Sequence, residues 1–310
     1  MKRVLLTGAA GFIGRNTISL LLERDYEVHC TYIHGQQPAE EKEGVVWHEC
    51  DLLDADKQRH LLREVSPAQL LHFAWETTHR QYWTSRDNLA WVQASVNLLV
   101  NFADCGGRRA VLAGTCAEYD WSSGCCREDA TPLLPATLYG ACKNSTRQIA
   151  EYYLAEEKIS FAWGRIFFLY GPHEHPKRMV ASVINSLLRG ESARCSHGRQ
   201  LRDFLYVKDA ANAFVALLES GVEGPVNIAS GNPVTLRDVI EMIAVKIGGE
   251  VLVEYGAIPG GTNDPHVLTA DTKRLNTDVG WRPQFDLNRG LDETIAWWKD
   301  EQASAEGNRR

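Results

Sequence analysis

The stretch KRVLLTGAAGFIGR (residues 2–15) decides the fold of this chain. The run KRVLLT is short and rich in apolar, strand-forming residues, so it predicts a β-strand that ends at Gly8. Gly8, Gly11 and Gly14 come next, and an amphipathic run over about 12–24 predicts a helix. In this arrangement the turn lets backbone amides approach a pyrophosphate, and the start of the helix adds a partial positive charge. Glycines at this spacing also occur in plain strand-to-helix turns. The stretch therefore predicts a dinucleotide-binding unit.

Strands and helices alternate after this unit. Further strands are predicted at 27–33, 45–50, 69–75, 108–114 and 161–170, and helices at 54–65, 86–104 and 138–157. Such alternation predicts a Rossmann-type, doubly wound α/β fold with a parallel sheet. We assign residues 1–170 to this dinucleotide-binding domain and residues 171–310 mainly to a smaller α/β C-terminal, substrate-binding lobe, and we expect some chain crossing between the two. Helices of that lobe are predicted near 178–189, 208–220, 235–247 and 288–300.

Composition excludes several classes of protein. The chain has 310 residues with 44% hydrophobic and 24% charged residues, as in an ordinary globular protein, and its net charge of -7 argues against nucleic-acid or anionic-membrane partners. Its eight cysteines form no CxxC pair and no cluster with zinc spacing, so we predict no metal site. Reduced thiols in the cytoplasm are the simplest interpretation.

The region after the second predicted strand bears on the choice of cofactor. NAD-binding units usually carry an acidic residue there, which holds the ribose 2′-hydroxyl. No Asp or Glu occurs between Glu27 and Glu40, and Arg15 could reach a 2′-phosphate, although it could equally be a solvated helix residue. The sequence therefore favours NADP(H) over NAD(H). Asp51 suits a contact to the adenine amino group, or it caps the following helix.

Three residues with acid–base potential follow the nucleotide turn. Tyr139 and Lys143 are four apart and share one face of a predicted helix, so the ammonium can lower the pKa of the phenol. Thr115 ends a buried strand, where a hydroxyl can bond a substrate oxygen, although a lone Thr is more often a cap. We predict Thr115, Tyr139 and Lys143 as the catalytic residues.

With these features in place, the chain resembles the extended short-chain dehydrogenase/reductase family, also called NAD-dependent epimerases/dehydratases, which mostly act on nucleotide-activated sugars. The resemblance covers nearly the whole chain and rests on the segments TGAAGFIGR (7–15), HFAW (72–75), YGACK (139–143), FFLYGP (167–172), RDFLYVKDAA (202–211), NIASGNPVTL (227–236) and TADTKRLNTDVGW (269–281).

The resemblance implies roles for individual residues. It makes Thr115 the catalytic hydroxyl, Tyr139 the general acid–base and Lys143 the residue that holds the nicotinamide ribose. It gives Arg202 a contact to the substrate diphosphate. The residues that we expect to bind the cofactor are Gly8, Gly11, Phe12, Ile13, Gly14, Arg15, Asp51, Leu52, Phe73, Ala74, Trp75, Tyr139 and Lys143, and those that we expect to bind substrate are Glu76, Thr115, Tyr139, Arg178 and Arg202.

The residues after Thr115 narrow the chemistry. The family's dehydratases carry an acidic pair directly after the hydroxyl residue, whereas here Cys116 and Ala117 follow and Glu118 is one position too late. The 3,5-epimerases place a cysteine two positions after the hydroxyl, so Cys116 is expected to be buried packing. The segments 114–119 and 164–172 look most like 6-deoxyhexose 4-ketoreductases, and Phe168 replaces an asparagine that contacts substrate in many relatives.

Three functions are open at this stage. The first is reduction of the C4 keto group of a nucleotide-linked hexulose, and the second is 4-epimerisation with tightly bound NAD. The third is a non-catalytic dinucleotide-binding module, which the intact Thr115, Tyr139 and Lys143 disfavour. A second diphosphate-binding arginine, usual just before Asp264, is absent, so the nucleotide stays open. Relatives pair through the helix bearing Tyr139 and the helix at 86–104, which implies a homodimer.

Overall fold

The computed structural model describes residues 2–35, 43–79, 81–260 and 264–307. Its strands are β1 (Lys2–Thr7), β2 (Tyr26–Tyr32), β3 (Val45–Glu49), β4 (Gln69–His72), β5 (Arg109–Thr115), β6 (Cys125–Cys126), β7 (Ser160–Ile166), β8 (Phe168–Tyr170), β9 (Ala193–Cys195), β10 (Leu201–Tyr206), β11 (Gly224–Ile228), β12 (Pro233–Thr235), β13 (Val253–Tyr255) and β14 (Val267–Ala270). Its helices are α1 (Gly14–Leu22), α2 (Ala55–Val65), α3 (Asp87–Asp104), α4 (Leu138–Glu156), α5 (Met179–Leu188), α6 (Val207–Glu219), α7 (Leu236–Ile247), α8 (Lys273–Thr277) and α9 (Leu287–Gly307).

A seven-stranded parallel sheet organises the molecule. Its strand order is β3-β2-β1-β4-β5-β7-β11, and all six neighbouring pairs run parallel. The chain moves outward from β1 to β3 and then crosses back to β4, so the direction of winding reverses between β1 and β4. In a doubly wound sheet ligands bind at the carboxyl ends of the strands beside this reversal. The predicted Rossmann-type fold is confirmed.

The strand predicted at 161–170 is wrong as a single element. In the structure β7 ends at Ile166 and β8 begins at Phe168, and the two strands belong to different sheets because β8 pairs with β10. Phe167 between them is buried, and its amide donates to Ile228 O at 3.2 Å. A continuous apolar run fits a buried strand in either sheet, so composition alone does not reveal the break. The strand predicted at 69–75 likewise ends earlier, at His72.

A smaller lobe surrounds β10. This strand pairs antiparallel with β12 and parallel with β14 and β8, while β6 joins the far side of β14. Helices α5, α7 and α9 enclose one apolar core with this sheet. The chain crosses between the lobes in both directions, since β11 belongs to the large sheet and β6 to the small one. The division at residue 170 stays a prediction.

None of the helices within the described ranges is long and apolar enough to cross a membrane.

Candidate active site

The glycine turn lies against the end of β4. Gly8 has a φ of 67°, and a Cβ on it would lie 2.7 Å from the Ala74 amide nitrogen. A Cβ on Gly14, the first residue of α1, would lie 2.2 Å from Gly8 O. Both distances are shorter than a side chain allows, so the turn can only be built from glycine. The resulting open backbone in front of a helix fits the pyrophosphate of a dinucleotide.

The other residues expected to bind the cofactor lie along the same edge of the sheet. Phe12 and Ile13 belong to the turn, and Phe73, Ala74 and Trp75 follow β4 directly. Asp51 and Leu52 follow β3. Asp51 is exposed and one of its carboxylate oxygens accepts from the Leu53 amide at 2.9 Å. The cap of α2 is Asp54, which accepts from Asp56 N and Lys57 N, so Asp51 does not cap that helix.

The guanidinium of Arg15 contacts the glycine turn and the smaller lobe. Its Nη2 donates to Ala10 O at 2.7 Å, and its Nη1 lies 2.7 Å from His173 Nδ1. Burial, together with the neighbouring Arg15 charge, lowers the pKa of His173 to about 4, so this imidazole is neutral and can accept from Arg15. The contact of Arg15 with a 2′-phosphate stays a prediction.

Tyr32 ends β2 where an NAD-binding unit carries its acid. Its ring meets Trp47 edge to face at 6.2 Å. Glu49 lies opposite Tyr32 in the β2–β3 register, and its carboxylate contacts the exposed His34 at 3.3 Å. Residues 36–42, including Glu40, lie outside the described residues. Within the described residues, the carboxyl end of β2 therefore carries Tyr32, with Glu49 opposite it on β3.

The structure brings Thr115 and Tyr139 into contact. Thr115 ends β5, and its hydroxyl lies near the phenol of Tyr139 in the first turn of α4, where it acts to lower the pKa of that phenol. Each residue is about nine-tenths buried. A Cβ on Gly140 would lie 2.2 Å from Ala117 O, so the glycine after Tyr139 allows α4 to approach the segment after β5 closely. The side chains of Thr115 and Tyr139 therefore lie next to each other, and their catalytic roles stay predictions.

Lys143 lies one turn further along α4 and is also buried. Its Nζ donates to Ala113 O at 3.0 Å and lies 3.8 Å from the centre of the Trp75 ring. Burial lowers the pKa of Lys143 to about 7, and the carboxylate of Glu118 opposes that shift. The ammonium is thus held beside the end of β5, close to the phenol on the same helix face.

Burial has the opposite effect on Tyr139. It raises the pKa of the phenol well above its usual range, and the nearby Thr115 hydroxyl acts in the opposite direction. The sequence predicts that Lys143 lowers this pKa, but in the structure desolvation outweighs any such effect. Tyr139 is accordingly protonated at neutral pH, which is the state in which a phenol donates a proton.

Glu118 is a functional residue that the sequence reasoning missed. Its Oε1 accepts from Thr115 N at 2.8 Å and from Trp163 Nε1 at 2.9 Å, and its Oε2 accepts from Arg165 Nε at 2.8 Å. The side chains of Glu118 and Arg165 are 0% and 1% exposed. Glu118 therefore fixes the backbone of Thr115 and is not free for acid–base work. Arg165 was the available signal, because a charge within a buried apolar strand needs a partner.

An aromatic wall encloses Tyr139, and we define it as Tyr82, Trp83 and Trp121. Tyr82 and Trp83 meet the Tyr139 ring edge to face at 4.9 and 5.7 Å, and Trp121 meets Trp83 at 6.2 Å. Arg178, which precedes α5, lies close enough to Tyr82 to act against the rise in the pKa of its phenol that burial causes. The wall combines two segments that are about 40 residues apart, so no local pattern reveals it.

Cys116 turns away from this chemistry. It lies in a buried cluster with Tyr119, Cys126, Phe167 and Leu268. Burial raises the pKa of its thiol to about 12, so the thiol stays protonated. A protonated, buried thiol cannot act as a carbon-acid base.

The residues expected to bind substrate are partly engaged within the chain. Arg202 is buried, is paired with Asp264, and donates to Pro265 O at 2.7 Å and Leu201 O at 2.8 Å. The Glu76 carboxylate accepts from Thr78 N at 2.6 Å. The contacts of Glu76, Arg178 and Arg202 with substrate stay predictions. In the stretch 259–264, where a second arginine is missing, residues 261–263 lie outside the described residues.

Metal-ligand clusters are absent from the described ranges, which contain no group of three or more His, Cys, Asp or Glu side chains placed to hold an ion.

A glycine turn at the reversal of a doubly wound sheet, next to a Thr–Tyr–Lys set, defines a dinucleotide-dependent enzyme of the short-chain dehydrogenase/reductase type. Sequence comparison gives the family, because residues 4–229 match the profile described as "NAD dependent epimerase/dehydratase family". The chain belongs to this family.

Similar proteins match either nearly the whole chain or about half of it. UDP-glucuronic acid decarboxylase 1 of Danio rerio is 27% identical over 314 residues, which are 97% of this chain and 73% of that protein. CDP-abequose synthase of Salmonella typhimurium is 30% identical over 164 residues, 51% of this chain and 54% of that protein. The structure of Thermus thermophilus UDP-glucose 4-epimerase in complex with NAD superposes with a TM-score of 0.85 at 25% identity, covering 96% of this chain and 99% of that one.

Proposed function

We propose that this enzyme reduces the C4 keto group of a nucleotide-linked 6-deoxyhexulose, with NADP(H) preferred over NAD(H). The observation that carries the proposal is the buried, protonated Tyr139, which lies next to Thr115 at the carboxyl end of β5. A protonated phenol in a dry site is suited to donate to an oxygen that gains charge.

A nucleotide-linked sugar as substrate is supported by the names of the relatives. They include a UDP-glucuronic acid decarboxylase, a CDP-abequose synthase and a UDP-glucose 4-epimerase. We place the sugar at Thr115 and Tyr139 and the diphosphate towards Arg178 and Arg202, in the smaller lobe.

The residues act in the following way. The C4 carbonyl oxygen accepts hydrogen bonds from the hydroxyls of Thr115 and Tyr139, which polarise it. Lys143 and the glycine turn would hold the dinucleotide, whose nicotinamide would be the source of the hydride for C4. Tyr139 donates its proton to the oxygen, so that the ketone becomes an alcohol and the tyrosine becomes a phenolate. The Lys143 ammonium stabilises that phenolate until a solvent proton replaces the one donated.

Dehydration lacks a catalyst at this site. Elimination of water needs an acid and a base beyond Tyr139, and the carboxylate nearest in sequence after Thr115 is Glu118. Its oxygens are taken by Thr115 N, Trp163 and Arg165. Cys116 and Ala117, which occupy the intervening positions, carry no group that ionises at neutral pH in this setting.

The aromatic wall supports a 6-deoxy sugar. Tyr82, Trp83 and Trp121 present ring edges and faces around Tyr139. Burial of a C6 methyl group against such rings is favourable, because it removes apolar surface from water. A C6 hydroxyl would lose its hydrogen bonds to water there without gaining a protein partner.

A 4-epimerase with tightly bound NAD is the second candidate. It is favoured by the superposition on the Thermus thermophilus UDP-glucose 4-epimerase complexed with NAD. The two candidates differ in net redox change, because an epimerase returns the hydride and a reductase consumes the cofactor.

One experiment separates the two candidates. The purified enzyme is analysed for retained cofactor and then mixed with NADPH and a nucleoside-diphosphate 4-keto-6-deoxyhexose. We expect stoichiometric NADPH oxidation, with slower turnover when the sugar carries a 6-hydroxyl. Retained NAD together with interconversion of 4-epimers and no net oxidation of NADPH would replace the reductase by the epimerase.

The cofactor preference is tested by Tyr32→Asp. A carboxylate at the end of β2 repels a 2′-phosphate and accepts from a 2′-hydroxyl, so the ratio of kcat/KM for NADPH to that for NADH should fall by roughly 10- to 100-fold. The matched control Tyr32→Phe keeps the ring beside Trp47 and should leave the ratio within about twofold. An unchanged ratio in Tyr32→Asp means that Tyr32 does not face the cofactor ribose.

A homodimer is also part of the proposal. Helices α3 and α4 pack side by side and expose large apolar side chains, namely Leu89, Val100, Ile149 and Tyr152. Exposed apolar patches of this kind are typical of protein interfaces. The homodimer and a cytoplasmic location stay predictions.

A further inference from the structure

The Lys143 amine lies in surroundings that disfavour its charged form. The residue is only 4% exposed, and burial alone lowers its pKa. An ammonium has three N–H donors, and one of them is satisfied by Ala113 O. The other close neighbour is the face of Trp75, 3.8 Å from Nζ to the ring centre, while the Trp163 ring lies at 6.0 Å.

The Trp75 indole is fixed in that position from two sides. Its Nε1 donates to Asn88 Oδ1 at 2.9 Å, and its ring stacks on Trp91 with 6.1 Å between centroids. Asn88 is fully buried and donates in turn to Tyr82 O at 2.7 Å and Ser85 O at 2.8 Å. Residues from the end of β4, the loop after it and α3 thus hold one ring face against Lys143.

The charged and titratable groups around Lys143 are few. Glu118, after β5, favours the ammonium. His72, at the end of β4, is neutral because burial and Lys143 itself lower its pKa to about 3, and it bonds Thr7 and Ser95. Tyr139, on the same helix, is protonated. Besides Glu118 and Ala113 O, the ring face of Trp75 favours the charged form, because it lies 3.8 Å from Nζ.

We propose that Trp75 is a positioning residue that holds the Lys143 ammonium charged and in place through a cation–π contact. A ring face carries negative potential and favours a cation most strongly where water is excluded. Trp75 thereby acts through Lys143 on the proton of Tyr139. Its catalytic consequence rests on the proposed function, whereas its effect on the charge of Lys143 does not.

The charge is measured directly by NMR on protein labelled with carbon-13 at lysine Cε, with the signal assigned by Lys143→Met. The Cε protons of Lys143 in the unmodified protein should be shifted upfield by the Trp75 ring current. In Trp75→Leu the pKa of Lys143 should fall by about one, because an apolar side chain keeps the burial and removes the ring. Trp75→Phe keeps a ring and should show less than about half of that change. Trp91→Phe keeps an aromatic ring stacked on Trp75, so it is the matched control and should leave the pKa of Lys143 unchanged.

Two results would overturn the proposal. One is an ordinary, unshifted Cε proton signal for Lys143 in the unmodified protein, which needs no variant. The other is a pKa of Lys143 that is unchanged or higher in Trp75→Leu. That result would mean that the indole only keeps water away from the amine.

Activity gives an independent readout. If the charged lysine is required, kcat/KM falls as pH rises through the pKa of Lys143, and in Trp75→Leu this fall should begin about one pH value lower than in the unmodified enzyme. NMR could show the lower pKa of Lys143 in Trp75→Leu while the unmodified enzyme turns over no 4-keto sugar. That outcome would reject the proposed function and retain the role of Trp75.

Discussion

Replacing Tyr139 by Phe should lower kcat for reduction by about 10²- to 10⁴-fold, while the affinity for NADPH stays within about twofold. The substitution keeps the ring that packs against Tyr82 and Trp83 and removes only the hydroxyl that lies near Thr115. The loss corresponds to about 3–5 kcal/mol of transition-state stabilisation, as expected when the proton donor is removed from an otherwise intact site.

Steady-state kinetics and a fluorescence titration with NADPH measure the two parts of this prediction. Tyr153→Phe is the matched control. Tyr153 lies further along α4 and packs against the apolar cluster that contains Leu98 and Phe102. It should keep kcat within about twofold. More than a tenth of the normal kcat in Tyr139→Phe would mean that another group donates the proton.

Replacing Glu118 by Gln should lower the free energy of unfolding by about 3–5 kcal/mol, because it leaves the guanidinium of Arg165 as an unpaired buried charge. Arg165 is fully buried, and its remaining partner is the hydroxyl of Tyr119 at 2.9 Å. Glu118 also accepts from Thr115 N, so any protein that still folds should reduce its substrate more slowly.

Urea unfolding measures this loss, and Glu151→Gln provides the comparison. Glu151 pairs with Arg147 on α4, but its side chain is 48% exposed, so breaking that pair should cost less than about 1 kcal/mol. If Glu118→Gln lowers the free energy of unfolding by no more than Glu151→Gln does, the buried pair of Glu118 and Arg165 does not stabilise the end of β5.

The sequence predicts the glycine turn between a strand and a helix, and the shared helix face of Tyr139 and Lys143, because both depend on local spacing. Gly8, Gly11 and Gly14 follow a clear strand, and the contacts that forbid a Cβ at Gly8 and Gly14 lie within the turn or at the end of β4. Tyr139 and Lys143 share a helix face by their spacing alone. The alternation of strands and helices then places Thr115 at the same edge of the sheet.

The rest of the site depends on contacts between segments distant in sequence. Glu118 meets Arg165 across 47 residues, and Arg202 meets Asp264 across 62. Neither pairing leaves a periodic signal. The sequence also does not predict the break between β7 and β8 at Phe167, because one continuous apolar run forms strands of two different sheets. The raised pKa of Tyr139 follows from burial by Tyr82 and its neighbours, which spacing along α4 does not reveal.

Transfer of deuterium tests the central claim most directly. The enzyme is incubated with NADPH that carries deuterium on the carbon that delivers hydride, together with a nucleoside-diphosphate 4-keto-6-deoxyhexose, and the product is examined by mass spectrometry and NMR. We predict one deuterium at C4 of the sugar for each NADPH oxidised, and none in the Tyr139→Phe variant beyond its residual turnover. A sugar product without deuterium, formed while NADPH is not consumed, would contradict the assignment of this enzyme as a 4-ketoreductase.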